Sequence, residues 1–280
     1  MMAQLLIITT LDVLGRRNNR EHHVIANLAP RFDRVAVVFR RRGRPGKKLR
    51  DLLTDEVEVI RKGAITYYAV DPKLNPPEGA VREFVHGRDG WLRKALANTL
   101  DSVGILRDWL TIRALTRVAK DAVARDMPIL CEAFGPWAAM AAIRLRQEGV
   151  VARTVYVDRD FEPGFMRSPL RRTWAAHVEA KAASQADLTL SIGHRLAARF
   201  AGVAGAEVRI SPTGVDGAQF TPKRRTHPPP HLVFVGQVAA WSGIEEVLQA
   251  MQHLLPEVPD LRLTVIGPCE DAYRRGLAPR

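Results

Sequence analysis

Residues 232–243 read Leu-Val-Phe-Val-Gly-Gln-Val-Ala-Ala-Trp-Ser-Gly, a short apolar run that breaks into a loop bracketed by Gly236 and Gly243. Ile244 to Leu255 follows with Ile244, Val247, Leu248 and Met251 on one helical face, and Leu261 to Ile266 is a second apolar run. Strand, glycine loop, amphipathic helix, strand is the βαβ unit of a parallel sheet. The glycines permit close backbone approach, Ser242 is placed to cap the helix, and the free N–H groups of a helix N-terminus suit a phosphate.

Upstream of this unit lies Thr221 to His231, TPKRRTHPPPH, whose consecutive prolines favour extended polyproline II structure and mark a linker. Before the linker the same alternation recurs. Strands are expected at Gln4 to Thr9, Arg34 to Phe39, Val57 to Ile60 (with a possible extension at 64–70), Ile129 to Phe134, Ala152 to Val157 and Leu188 to Ile192. Helices are expected at Glu21 to Ala29, Trp91 to Arg125, Pro136 to Gln147 and Leu170 to Ser184. In the long one, Leu92, Leu96, Leu100, Val103, Leu106 and Leu110 recur at spacings of three and four and form the expected core-facing stripe.

The fold class is therefore α/β, with two Rossmann-like domains: residues 1–192, and residues 193–280 as a partial second domain. Two strands and one helix are too few for a Rossmann-type sheet, commonly about six strands wide, so the second domain is expected to be incomplete.

Composition fits this reading and narrows the function. Hydrophobic residues are 46% and charged residues 26% of 280, which suits folded domains and argues against wholesale disorder. No apolar stretch approaches the roughly 20 residues needed to cross a bilayer, and Met1 to Thr10 lacks a basic n-region. Cys131 and Cys269 stand far apart with no metal-ligand spacing, as in a reducing cytoplasm. Net charge is +12, with a dense run at Arg40 to Arg50, RRRGRPGKKLR. That run is a solvated loop or a surface for anionic lipid headgroups; aromatic residues are not interleaved with it, which weakens a nucleic-acid role.

Several motifs, in order along nearly the whole chain, resemble the family-4 glycosyltransferases. Ser211-Pro212-Thr213-Gly214-Val215-Asp216, followed by Phe220, is similar to the family's Pro-Asn-Gly-Val-Asp-x-x-x-Phe, with Thr213 in place of Asn. Residues 234–251 and 261–268 look like its next strand, Gly-Arg loop, Lys-Gly, helix, and strand ending in Val-Gly. Upstream, Glu179 to Ser191 resembles a Glu-x7-Asp-x-x-x-x-Ser stretch, with three residues instead of four between Asp187 and Ser191, Arg159-Asp160-Phe161-Glu162-Pro163 resembles an Arg-Asp-Leu-Trp-Pro loop, and Asn18-Asn19-Arg20-Glu21-His22-His23-Val24 aligns with Gly-Gly-x-Glu-x-His-Val.

The resemblance implies a GT-B fold with an acceptor-side first domain and a donor-binding second domain. It implies transfer of a sugar, with retention, from a nucleotide diphosphate sugar to the hydroxyl of a glycan or lipid-linked acceptor, without metal or other cofactor. Gly214, Gly236, Gln237, Ser242 and Gly243 then belong to the donor site, Arg159 and Asp160 are the catalytic candidates, and Asn18 and Asn19 form the acceptor-side loop. Lipid-linked acceptors imply cytoplasmic residence at an anionic membrane surface, through Arg40 to Arg50.

The departures matter equally. Gln237 and Ser242 occupy positions where the family places Arg and Lys on the diphosphate, and each lost charge-assisted contact is worth about 1.5–3 kcal/mol. The family's Glu-x7-Glu, which contacts the donor sugar, falls beyond Arg280, so this chain as it stands is expected to be inactive. Other readings stay open: Asp158-Arg159-Asp160 as an Asp-x-Asp metal motif, a catalytically silent GT-B remnant that acts as a scaffold, and nucleic-acid binding on charge alone. His22 and His23 are adjacent and cannot share a metal as an i, i+4 pair does; with His177 and His194 they read as packing or surface residues.

Overall fold

The computed structural model describes residues 3–14, 20–41, 53–74, 91–166, 168–215, 217–218, 220, 230–269, 273 and 276, with the backbone alone at 20 and 91–102. The chain divides into two compact units, Met1–Gly214 and Val215–Arg280.

The first unit contains β1 (Gln4–Thr9), α1 (Arg20–Leu28), β2 (Arg34–Arg40), β3 (Glu56–Lys62), β4 (Ile65–Asp71), α2 (Trp91–Ala122), β5 (Ile129–Phe134) and α3 (Pro136–Gln147). It continues through β6 (Arg153–Asp158), α4 (Pro169–Gln185), β7 (Leu188–Ser191), the single turn α5 (His194–Ala197) and β8 (Val208–Ile210). These strands form one sheet in the order β3-β4-β2-β1-β5-β6-β7-β8, parallel except for β3.

All six residues of β1 are buried. Alternate side chains explain this: Leu5 and Ile7 join Val35, Val37 and Ile25 on the α1 face, while Leu6 and Ile8 join Val38, Leu115, Ala138 and Ile143 on the other. A strand covered on both faces needs a continuous apolar run, and each large side chain so buried contributes about 1.5–3 kcal/mol. Buried Ala138, Ala139, Ala141 and Ala142 let α3 lie close to the sheet.

The structure alters three expectations. The run from Val57 is not one strand with an extension but a hairpin: β3 turns through Gly63, at φ +58°, and returns antiparallel as β4. The left-handed conformation at the turn is one that glycine adopts without cost. The first unit also passes the expected boundary at residue 192, because Val208–Ile210 pairs in parallel with β7 and extends the same sheet. And the buried face of α2 is not the predicted stripe. Val103 and Leu106 are 44% and 48% exposed, whereas Ile112, Leu115, Val118 and Ala119 are buried; Leu92, Leu96 and Leu100 have side chains outside the described set.

The second unit's described elements are β9 (His231–Val235), α6 (Ile244–Leu254) and β10 (Arg262–Ile266), with β9 and β10 parallel and in register from His231↔Arg262 to Val235↔Ile266. This is the βαβ unit read from residues 232–266. No helix among the described residues is long and apolar enough to cross a membrane.

Candidate functional site

In the first sheet the chain goes from β1 outward to β2, then crosses to β5 on the other side of β1, so the strand order reverses between β1 and β5. Ligands of open α/β sheets bind beyond the carboxyl ends of the strands at that reversal. Thr10 and Gly135 flank it: a Cβ on Gly135, which sits at φ +84°, would stand 3.8 Å from Thr10 Oγ1.

Glu21 reaches this edge from α1 and is fully buried. Its Oε1 accepts from Thr9 Oγ1 at 3.3 Å and forms an ion pair with Arg159, from the loop after β6. The Arg159 guanidinium carbon lies 5.9 Å from the centre of the Phe134 ring. Glu21 Oε2 and Arg159 Nε are buried and have no hydrogen-bond partner among the described residues.

Of the two residues expected to act at this loop, Arg159 is thus placed at the strand ends, and Asp160 is exposed to solvent. Asp158 has a different task. Its carboxylate accepts from Ser191 Oγ at 2.8 Å, Arg199 at 2.8 Å and Tyr156 at 3.4 Å. Burial, the largest influence, raises its pKa, with Arg199 and these hydrogen bonds opposing. A carboxylate so occupied is a structural tie between β6 and β7, which removes the first ligand from the Asp-x-Asp reading.

Arg199 also pairs with Glu179 on α4, and Glu179 Oε1 accepts the backbone N–H of Glu162 at 3.0 Å. This buried network fixes the loop that carries Arg159. Burial pushes Glu179 up to about 7, with Arg199 opposing. Asp187 completes the set: its carboxylate accepts from the Thr154 backbone and hydroxyl, both at 2.8 Å, and pairs with Arg146 and Arg153 at 2.7 and 2.9 Å. Burial works to raise its pKa, but those bonds outweigh it and hold the carboxyl well below its usual range. The Glu179-to-Ser191 motif is therefore largely scaffolding. Sequence spacing did not reveal Arg199, since a lone Arg in a short turn carries no signal.

In the second unit the strand ends of β9 and β10 meet at Gly236 and Gly267. A Cβ on Gly267, at φ +150°, would stand 1.7 Å from the Gly236 carbonyl oxygen, so no side chain fits there. Gly243, left-handed at φ +78°, is the N-cap of α6, and the helix has no side-chain cap. This corrects the expected role of Ser242: its hydroxyl closes a turn with Ala239, accepting from the Ala239 N–H at 3.2 Å and donating to its carbonyl at 2.6 Å. The uncapped N–H groups favour an anion, while Glu245 and Glu246 in the first turn oppose one. Gln237 is exposed and Gly214 lies in open space. Asn18, Asn19 and the basic run from Arg42 to Arg50 lie outside the described residues; Arg40 ends β2 and Arg41 pairs with Glu58. Among the described residues, no group of three His, Cys, Asp or Glu is arranged to hold a metal.

No family model matches the sequence, and no curated protein does. Solved structures do. The chain is similar to a trehalose-6-phosphate structure from E. coli bound with UDP-2-fluoro glucose, at 13% identity and TM-score 0.57, over 97% of this chain and 67% of that one. It is similar to the α,α-trehalose-phosphate synthase (UDP-forming) from Burkholderia xenovorans in complex with glucose-6-phosphate, at 14% identity and TM-score 0.61, over 97% and 68%. A third, a trehalose-6-phosphate synthase studied with bisubstrate glycomimetics for glycosyl transfer with retention, gives 16% identity and TM-score 0.60, over 97% and 66%. The chain spans about two thirds of the length of these structures. Its fold is that of the GT-B glycosyltransferases: a mixed α/β fold with Rossmann-like, mostly parallel sheets.

Proposed function

We propose that this chain belongs to a retaining glycosyltransferase of the family-4 kind, one that moves a sugar from a nucleotide diphosphate sugar to a hydroxyl acceptor. The observation that carries the reading is the buried Glu21–Arg159 pair at the strand reversal of a GT-B sheet, with Glu21 Oε2 and Arg159 Nε lacking a partner among the described residues. Two motifs matched separately in sequence meet in this ion pair, at the kind of edge where open α/β sheets bind ligands.

In this reading the acceptor sugar lies at the ends of β1, β5 and β6, with Arg159 Nε and Glu21 Oε2 addressing its hydroxyls. The donor diphosphate lies on the backbone at Gly236 and the uncapped N-terminus of α6, where N–H dipoles stabilise the departing charge. No step requires a metal. The test is binding of the donor nucleotide. With the donor domain restored to full length, calorimetry with UDP and GDP should show one of them binding at roughly micromolar Kd, unchanged by EDTA. Binding of neither nucleotide overturns the reading and leaves a silent GT-B scaffold; binding abolished by EDTA restores a metal.

Lipid-linked acceptors would bring the chain to an anionic membrane through Arg40 to Arg50. Equal recovery with neutral and anionic vesicles would count against that.

A further inference from the structure

The eight-stranded sheet ends on one side at β3 and on the other at β8. β8 is three residues long, and so short an edge offers little to a second chain. β3 is seven residues long, and its outer backbone N–H and C=O groups have no ladder partner among the described residues. Val57 and Val59 are 44% and 52% exposed, so this border is apolar as well as unpaired.

Charge along β3 is sorted by sign: Glu56 and Glu58 come first, Arg61 and Lys62 last. Edge charges ordinarily deter pairing, and a parallel, in-register neighbour would indeed set Glu on Glu and Lys on Lys. An antiparallel copy centred on Val59 does the opposite. It sets Glu56 against Lys62 of the second copy and Lys62 against Glu56 of the second copy, with Val59 facing Val59 at a two-fold axis. All seven residues then pair. Moving the centre to residue 58 puts Glu58 opposite Glu58, and moving it to residue 60 drops Glu56 and Val57 from the ladder, because their partners would fall in the turn beyond Lys62. One register is thus favoured over its neighbours.

The surroundings agree. Across the hairpin Glu56 stands opposite Asp71 and Lys62 opposite Ile65, with the Lys62 ammonium 6.0 Å from the centre of the Tyr67 ring. Neither meets an opposite charge across its own ladder, which a second copy would supply to both. Glu58 pairs with Arg41 of its own chain and in this register faces Ile60 of the second copy. α2 packs chiefly over β2 and β4, inward of the edge.

We propose that β3 is a self-association edge: two copies pair antiparallel through residues 56–62, centred on Val59, and join their sheets across a two-fold axis. This does not depend on the sugar-transfer reading. A seven-residue strand pair is a small interface, so the dimer is weak and concentration-dependent. Two-fold symmetry makes every substitution act twice.

Sedimentation of the 1–280 chain from about 1 to 500 µM, in about 0.15 M sodium chloride to screen the net charge of +12, tests it. A monomer–dimer equilibrium should appear. Glu56→Lys and Lys62→Glu, both at exposed positions, should each weaken it at least tenfold, and the two together should restore it, because the charges are then exchanged but still complementary. Val59→Lys, which sets Lys against Lys at the axis, should abolish it. Val235→Lys, on the exposed β9, should leave it unchanged. A chain that stays monomeric to the highest concentration overturns the proposal. So does a dimer that survives Val59→Lys, a dimer lost with Val235→Lys, or a charge-exchanged double variant that fails to restore pairing.

Discussion

Glu21 and Arg159 stand 138 residues apart and each was legible as part of a motif, but their partnership was not, since single-sequence spacing says nothing about which strand ends are neighbours. The pair makes a sharp stability prediction. Arg159→Gln leaves Glu21 buried without its counter-charge, a change that costs about 3–5 kcal/mol, measurable by urea denaturation. The double variant with Glu21→Gln should recover part of that loss, as expected for directly coupled groups. Additive effects would show that the two do not interact. Gly104 gives a second test at this scale. Replacing a helix-interior glycine by alanine ordinarily gains about 1 kcal/mol, but here the added Cβ would stand 2.1 Å from Arg171 Nη1, so the guanidinium that pairs with Asp108 has to shift. Separating a buried ion pair costs more than the helix gains, so Gly104→Ala should lower the melting temperature; a rise would mean that Arg171 re-pairs freely.

At the level of elements, strands and helices were mostly visible because buried parallel strands are unbroken apolar runs and their helices are amphipathic. The failures have physical causes. α2 carries Leu and Val on more than one face, so its periodicity could not say which face the sheet would claim. Leu115, buried against the sheet, should cost about 2–5 kcal/mol as Leu115→Ala. Leu106→Ala, on the supposed stripe, should change stability by about 0.5 kcal/mol or less; equal losses would restore the stripe. β8 was missed because three residues are too few to show an alternation. Ser242 was misjudged because its hydroxyl has a nearer partner in Ala239 than in the helix it precedes.

For the molecule as a whole, the buried acids set a pH dependence. Glu179 is raised from 4.5 to about 7, chiefly by burial, so the folded chain binds more protons than the unfolded chain between those values. Its contribution is full below about 4.5 and is lost as pH rises through about 7. Asp158 and Glu162, also raised chiefly by burial, act in the same sense. The urea midpoint should therefore fall across that window, and Glu179→Gln should flatten the fall; a wild-type midpoint that rises there would contradict the burial argument. The α/β class was legible from alternation alone. The chemistry was not, because the groups that matter are buried ions drawn from α1, α2, α4 and a loop, and only folding brings them together.

The paired strands β9 and β10 have a consequence for handling. Neither outer edge is paired among the described residues, and Val233 and Val235 are 56% and 73% exposed. Such borders invite edge-to-edge association between molecules. A net charge of +12 works against it by keeping copies apart at low ionic strength. Salt shortens the reach of that repulsion to about 10 Å at 0.1 M. The protein should therefore be most soluble in dilute buffer, and scattering should grow as sodium chloride is added, the opposite of ordinary salting-in.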